Sequence, residues 1–253
     1  MVRKIQPTIE PSEYNKWRNA VELTYDQKQL ILGSVIGNMS IFRELFRSKH
    51  VEDVLARPPR LQVGHAAKNK DYVFWKYKHL KSIIKTYPHF DEPVYDARVG
   101  LAAGEGMYSF VSPTLPCLTQ MFEICYSDNE KRKITKDWMH AIVDPIAVAT
   151  WFMDSGIVVG AKTARPFLDI TIRRTDAEGA AIVQKYLLLE LGIESWHNDG
   201  TRYVEAKRNS IIQGPGRQSL QLQKRPDARK FIDLVAPFVE EVPSMMRKIE
   251  PFL

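Results

Sequence analysis

The chain has 253 residues, 44% of them hydrophobic and 26% charged, the balance of a globular protein long enough for one large domain or two packed units. No apolar run approaches the roughly 20 residues that span a bilayer, and the two cysteines, Cys117 and Cys125, form no CxxC pair, which argues against a disulfide framework, zinc and redox chemistry. Lys and Arg number 36 against 30 Asp and Glu, a net charge of +6 that favours polyanionic partners without identifying one.

The opening MVRKIQPTIEPSEYNKW has a basic tip but neither the apolar core of a secretory signal nor the pattern of an amphipathic transit helix. An organellar protein with this start would be made in place or be seen without a presequence. Leu23 to Ile36 is periodic and apolar, with Thr24 as N-cap and Gln27 completing a capping-box pattern. Ile41 to Arg57 is mixed and predicts a short helix before the Pro58-Pro59 break, after which Arg60 to His65 alternates like a strand. Ala67 to Thr86 predicts a long amphipathic helix stopping before Pro88. Val94 to Ala103 and Gly106 to Val111 predict a hairpin about Gly104-Glu105-Gly106, followed by a helix from Thr114 to Tyr126. The polar stretch SDNEKRK then reads as a linker.

The order repeats. Pro145 to Asp154 is an apolar helix, Val158 to Lys162 and Phe167 to Arg173 are strand-like, and Asp176 to Leu191 is helical. Arg202 to Lys207 and Ser219 to Gln223 read as strands about a Gly-Pro-Gly turn, before a last helix from Pro226 to Val239. Each half thus runs helix, two strands, helix, two strands, helix. The division is an N-terminal extension (1–22), a first repeat (23–127), a linker (128–137) and a second repeat (138–253), with the leading helices meeting at a pseudo-twofold axis.

Gly33 and Gly37 are four apart on the first leading helix. They either relieve crowding in a core or let two backbones approach closely. Ala149 and Met153 hold comparable places in the second.

ILGSVIGNM (Ile31 to Met39) and VATWFMDSG (Val148 to Gly156) resemble the two signature helices of the LAGLIDADG homing endonucleases and maturases in their single-chain, two-repeat form. LTYDQKQLILGS, KNKDYVFWKYKHLKSI and the closing VAPFVEEVPSMMRKI extend the resemblance over nearly the whole chain. It implies an α+β LAGLIDADG homing-endonuclease fold, two pseudo-symmetric αββαββα repeats with saddle-shaped antiparallel sheets. In that family each signature helix delivers a carboxylate at its eighth position, and the pair holds the divalent metals that cleave DNA. Hard cations need charged oxygen ligands for this work. Here the eighth positions are Asn38 and Ser155, and Met39 replaces the usual glycine. The resemblance therefore implies lost endonuclease activity and no bound metal or other cofactor. Asp154 neighbours Ser155, but successive helix residues point about 100° apart, so its expected role is to bond backbone amides or a basic neighbour.

Nucleic-acid contacts would come from the strands, whose alternate side chains face the groove. The candidates are Thr171, Arg173, Arg202, Lys207, Gln221, Gln223 and Lys224. A second basic surface would be Lys68, Lys70, Lys76, Lys78, Lys81 and Lys85, interleaved with Tyr72, Trp75 and Tyr77, although rings at helical spacing also suit a core and lysines a solvated face. The histidines His50, His65, His79, His89, His140 and His197 lack metal-site spacing. GLAAGEGM lacks the Lys-Ser/Thr end of a phosphate loop.

The leading expectation is a non-cleaving family member that binds RNA in an organellar ribonucleoprotein, monomeric among the other subunits and away from membranes. The RNA is either rRNA of a mitochondrial ribosome or an intron served by a maturase-like factor, in a mitochondrion or a chloroplast. The rivals are a metal-dependent DNA endonuclease with an atypical active site and a non-cleaving, sequence-specific DNA binder.

Overall fold

In a computed structural model of the chain, the described residues are 11–43, 45–47, 54–93, 95–96, 101–102, 106–126, 131–199 and 218–253. Helix α1 (Pro11–Ala20) lies in the extension. Helix α2 (Tyr25–Ile36) starts where the capping box places it: the Gln27 amide N–H donates to Thr24 Oγ1 at 3.3 Å, and the Thr24 N–H donates to Gln27 Oε1 at 3.1 Å.

The region 41–57 carries strands in place of the expected short helix: β1 (Ser40–Phe42), β2 (Leu45–Arg47) and β3 (Val54–Ala56), the last two paired with each other. β-Sheet partners outweigh weak local helix preference here. Strand β4 (Arg60–Ala66) follows as expected, then a 3₁₀ turn and α3 (Lys70–Leu80), which ends earlier than its apolar pattern suggests.

The hairpin also differs from expectation. β5 (His89–Asp91) pairs with β8 (Met107–Val111), while β6 (Tyr95–Asp96) pairs with β7 (Leu101–Ala102). Its arms are therefore β5–β6 and β7–β8, with Gly106 directly before β8, while Gly104 and Glu105 of the expected turn lie outside the described residues. Gly106 has φ +78, a conformation glycine tolerates. The helix expected from Thr114 is a 3₁₀ turn, Pro116–Leu118, running into α4 (Thr119–Cys125). A short helix not among the expected elements, α5 (Lys136–His140), straddles the expected boundary between linker and second repeat.

The second repeat follows its pattern more closely. Helix α6 (Pro145–Ser155) has Pro145 in its first turn and Asp144 as N-cap, accepting from the Ile146 N–H at 2.9 Å. It is followed by β9 (Gly156–Val159), β10 (Phe167–Thr171) and α7 (Ala177–Leu191), which begins on Asp176 and ends on left-handed Gly192. Strand β11 (Trp196–Asn198) has no counterpart among the expected elements, and the expected strand Arg202 to Lys207 lies outside the described residues. β12 (Ser219–Leu222), α8 (Arg225–Val239) and 3₁₀ turns at Pro243–Lys248 and Glu250–Phe252 complete the chain.

The two four-stranded sheets have the orders β1-β4-β8-β5 and β9-β10-β12-β11. Taken strand by strand these are one order used twice, the αββαββα duplication legible in the sequence. Leu168, Ile170, Leu220 and Leu222 are fully buried on one face of the second sheet, so Asp169, Thr171 and Gln221 take the other by alternation. Helices α2 and α6 lie in a single core joining both halves, and every α2 residue from Gln29 to Ile36 is buried.

Candidate functional site

The two leading helices touch backbone to backbone. A methyl group on Gly33 would stand 1.8 Å from the Ala147 carbonyl oxygen, and one on Gly37 would stand 2.4 Å from Asp154 Cβ. The glycines are thus required by the contact between repeats. Their counterparts are Ala147, Thr150 and Asp154, one face of α6, with Ala149 and Met153 buried on the adjoining face. Thr150 Oγ1 donates within its own helix to Ile146 and Ala147 carbonyls, both at 3.0 Å. Gln29 of α2 ties the entry of α6: its Oε1 accepts from the Val143 and Asp144 N–H groups at 3.0 and 3.2 Å, and its Nε2 donates to the Ala141 carbonyl at 2.8 Å.

The Asp154 carboxylate is completely buried at this junction. Lys76 Nζ donates to both oxygens, at 2.7 and 2.9 Å, His65 Nε2 lies 3.2 Å from Oδ1, and the Asn38 N–H donates to Oδ2 at 3.2 Å. This is the role expected of Asp154, bonding a backbone amide and a basic neighbour. Burial works to raise its pKa, but Lys76 foremost, with His65, outweighs that and holds the carboxyl well below the usual range. Burial lowers the pKa of His65 and Lys76, against the opposing pull of Asp154. Tyr72 packs its ring 4.9 Å from that of His65 and donates its hydroxyl to the Thr150 carbonyl at 3.2 Å.

Lys76 is therefore no part of a basic surface. It is fully buried, as is Tyr72, while Trp75 is nearly so. Tyr72, Lys76 and Leu80 recur every four residues, one helix face. That periodicity is the available signal for a buried lysine, but nothing local names its carboxylate partner.

At the helix ends, Asn38 Nδ2 donates to the Gly64 carbonyl at 2.9 Å, and Ser155 Oγ donates back to the Trp151 carbonyl at 3.0 Å. A neutral amide, a hydroxyl engaged with its own helix and a carboxylate closed by an ammonium make a poor donor set for a hard divalent cation. Among the described residues no cluster of three or more His, Cys, Asp or Glu could hold a metal.

Both helices end on cations. Arg132, from the linker, donates to the Met39 carbonyl at 2.8 Å and the Gly37 carbonyl at 3.4 Å, and Lys248 donates to the Met153 carbonyl at 2.5 Å and the Phe152 carbonyl at 3.3 Å. Each charge faces the negative end of a helix dipole. Beside the end of α6 opens a cleft of about 400 Å³ whose lining includes Ser155, Ile157, Thr171, Arg173, Arg247 and Lys248. Burial pulls Lys248 down to about 8.

The structure does not gather the candidate nucleic-acid residues at one place. Thr171 and Arg173 line this cleft. Gln221 stands on the open face of the second sheet, its Nε2 donating to Asp169 Oδ2 at 3.2 Å, and Gln223 Nε2 donates to Gln221 Oε1 at 2.9 Å. Lys224 is bound by Glu194. Lys68 and Lys70 are exposed in the first repeat, Lys70 lying 5.1 Å from the Tyr108 ring centre. Arg202 and Lys207 lie outside the described residues. No local pattern singles out Arg132 and Lys248, whose roles depend on tertiary contacts with helix ends, or Arg247, which donates to the Ser244 carbonyl and Asn69 Oδ1.

Residues 28–205 match the family model described as the LAGLIDADG DNA endonuclease family. Among curated relatives, "Protein RecA" of Mycolicibacterium fallax is 26% identical over 239 residues, 90% of this chain and 47% of that protein. The "Protein RecA" of Mycolicibacterium chitae is 28% identical over 231 residues, with the same shares covered. The chain spans about half the length of these relatives. Among solved structures, that of the homing endonuclease I-WcaI bound to its DNA recognition sequence is similar in fold, with a TM-score of 0.71 at 16% identity, covering 99% of this chain and 95% of that one.

Proposed function

The chain belongs to the LAGLIDADG DNA endonuclease family, and we propose that within it this protein has lost cleavage and serves as an RNA-binding component of an organellar ribonucleoprotein. The observation that carries the loss of cleavage is the fate of the oxygens at the helix ends. Asp154 is closed by Lys76 and His65, and Asn38 and Ser155 hold backbone carbonyls. Phosphodiester hydrolysis by bound cations needs charged oxygens open to both metal and phosphate. What supports retained binding is the basic cleft of Arg173, Arg247 and Lys248 opening beside a sheet face that carries Thr171 and Gln221. A cationic cleft of this kind engages a polynucleotide backbone without any metal.

The assembly we propose is a mitochondrial ribosome, where the protein holds rRNA by backbone and shape, or an intron complex that it supports as a maturase-like factor. Neither role calls for hydrolysis. The test has two arms. Purified protein with Mg²⁺ or Mn²⁺ and a library of long duplexes is expected to yield no specific cuts; cuts that vanish in Asp154→Asn would restore the endonuclease reading. Structured RNA and duplex DNA then compete at equal salt, with RNA expected to prevail. A clear preference for the duplex would replace the RNA reading with that of a non-cleaving DNA binder.

A further inference from the structure

The open face of the second sheet carries a side chain that a duplex-binding saddle does not require. Strand register sets Ile157, Asp169, Gln221 and Trp196 side by side in one row across β9, β10, β12 and β11. The row ends in two exposed apolar groups, Trp196 at 56% and Ile157 at 55%. Between them stand the Asp169 carboxylate and the Gln221 amide, which donates to it, and Gln223, two residues on, donates to Gln221. All five tryptophans lie in the described residues, and Trp196 is the one that stands more than half exposed. The corresponding edge strand of the first repeat sets His89 beside Ser109, a polar pair 3.3 Å apart. That strand's ring, Phe90, is also 45% exposed but alternates to the other face, so the halves differ in which face carries the ring.

Leaving an indole in water forgoes the burial that the other tryptophans obtain. Its neighbours describe what would cover it. One strand away, roughly 5 Å, Gln221 presents hydrogen-bonding groups at the height of the ring. Further along the same face of β10 from Asp169 comes Thr171, and in the turn just past the strand Arg173, both lining the cationic cleft. A flat apolar surface, amides beside it and cations within a few nucleotides' reach match the three parts of a nucleotide chain: base face, base edge and phosphate.

We propose that Trp196 is a stacking platform for an unpaired nucleobase of single-stranded RNA, with the Gln221–Gln223 amides at the base edge and the neighbouring Arg173–Arg247–Lys248 cleft taking the backbone. A base paired in a duplex is stacked on its own neighbours and cannot present its face to the ring. The site therefore selects loops and single strands over duplex. This deepens the RNA-binding reading and rests on it.

The experiment is a fluorescence titration of the full chain with a single-stranded oligoribonucleotide and with the same sequence annealed to its complement, alongside a filter-binding measurement of affinity. The single strand is expected to quench tryptophan emission and the duplex to leave it nearly unchanged. Trp196→Leu, at an exposed position, is expected to remove the quench and weaken single-strand binding by about 5- to 100-fold, while Trp196→Phe retains most of the affinity. Unchanged single-strand affinity in Trp196→Leu overturns the platform and leaves RNA binding standing. Equal quenching by the duplex overturns the selectivity for unpaired bases. Absence of binding to any RNA by filter retention overturns the RNA reading and this inference together.

Discussion

Lys76 Nζ sits 2.7 Å from one carboxylate oxygen of Asp154 and 2.9 Å from the other, with both side chains wholly shielded from water. The ammonium occupies the place beside the junction carboxylate where a cation could otherwise be held. It belongs to α3 of the first repeat and Asp154 to α6 of the second, so the pair also fastens the halves together.

Removing one partner leaves the other charge buried without compensation. Lys76→Met is expected to cost about 3–5 kcal/mol in urea unfolding, and Lys76→Met with Asp154→Leu to recover much of that loss. A cost below about 1 kcal/mol for the single change would contradict the buried pair.

The same pair sets a response to acid. Because the folded state holds Asp154 below its ordinary value of 3.8, its contribution is complete above that value and is lost progressively as pH falls from there through the depressed folded-state value. Thermal stability measured from pH 5 downward is expected to fall more steeply in the natural protein than in the Lys76→Met, Asp154→Leu double variant.

Gly33→Ala tests the contact between helices. In a free helix alanine is better than glycine by about 1 kcal/mol, but here the new methyl would meet the Ala147 carbonyl at 1.8 Å. We expect a net loss of about 1–3 kcal/mol; stabilisation would show that the backbones do not meet there.

Restoring charge at the helix ends tests their alignment. Asn38→Asp with Ser155→Asp is expected to create a divalent-cation site, read by calorimetry with Mn²⁺. No heat of binding would mean that the two positions do not converge.

For the cleft, single-stranded RNA affinity is expected to fall with salt, and Arg247→Gln to make the log–log slope shallower by about 0.7 for each phosphate that is no longer neutralised. Lys248, pulled by burial to about 8, loses its charge as pH rises through that value, so affinity should decline between pH 7 and 9. Lys248→Met should abolish that decline; an unaltered pH profile would remove Lys248 from the binding surface.

Much of the fold is legible in the sequence because its signals are local. Thr24 and Gln27 mark the start of α2, Asp144 and Pro145 that of α6, and alternation across Phe167 to Thr171 separates a buried from an open face. The strands between Ser40 and Ala56 are not legible, since three residues are too few to show alternation and each strand is defined by its pairing, β1 with β4 and β2 with β3. Trp196 escapes sequence reasoning for the same cause: β11 is three residues long, and only its pairing with β12 makes it a strand.

By itself the sequence determined the duplication, the family resemblance, and the amide and hydroxyl that end the two leading helices, because these are matters of order, spacing and residue type. Tertiary structure alone decided that Lys76 is the partner of Asp154 and not a surface charge, that Gly33 faces Ala147, and that Arg247 and Lys248 join Arg173 at one cleft. These outcomes depend on which groups share a place without water, where the interaction between charges grows stronger and each unpaired one becomes costly. Separation along the chain carries no record of that sharing.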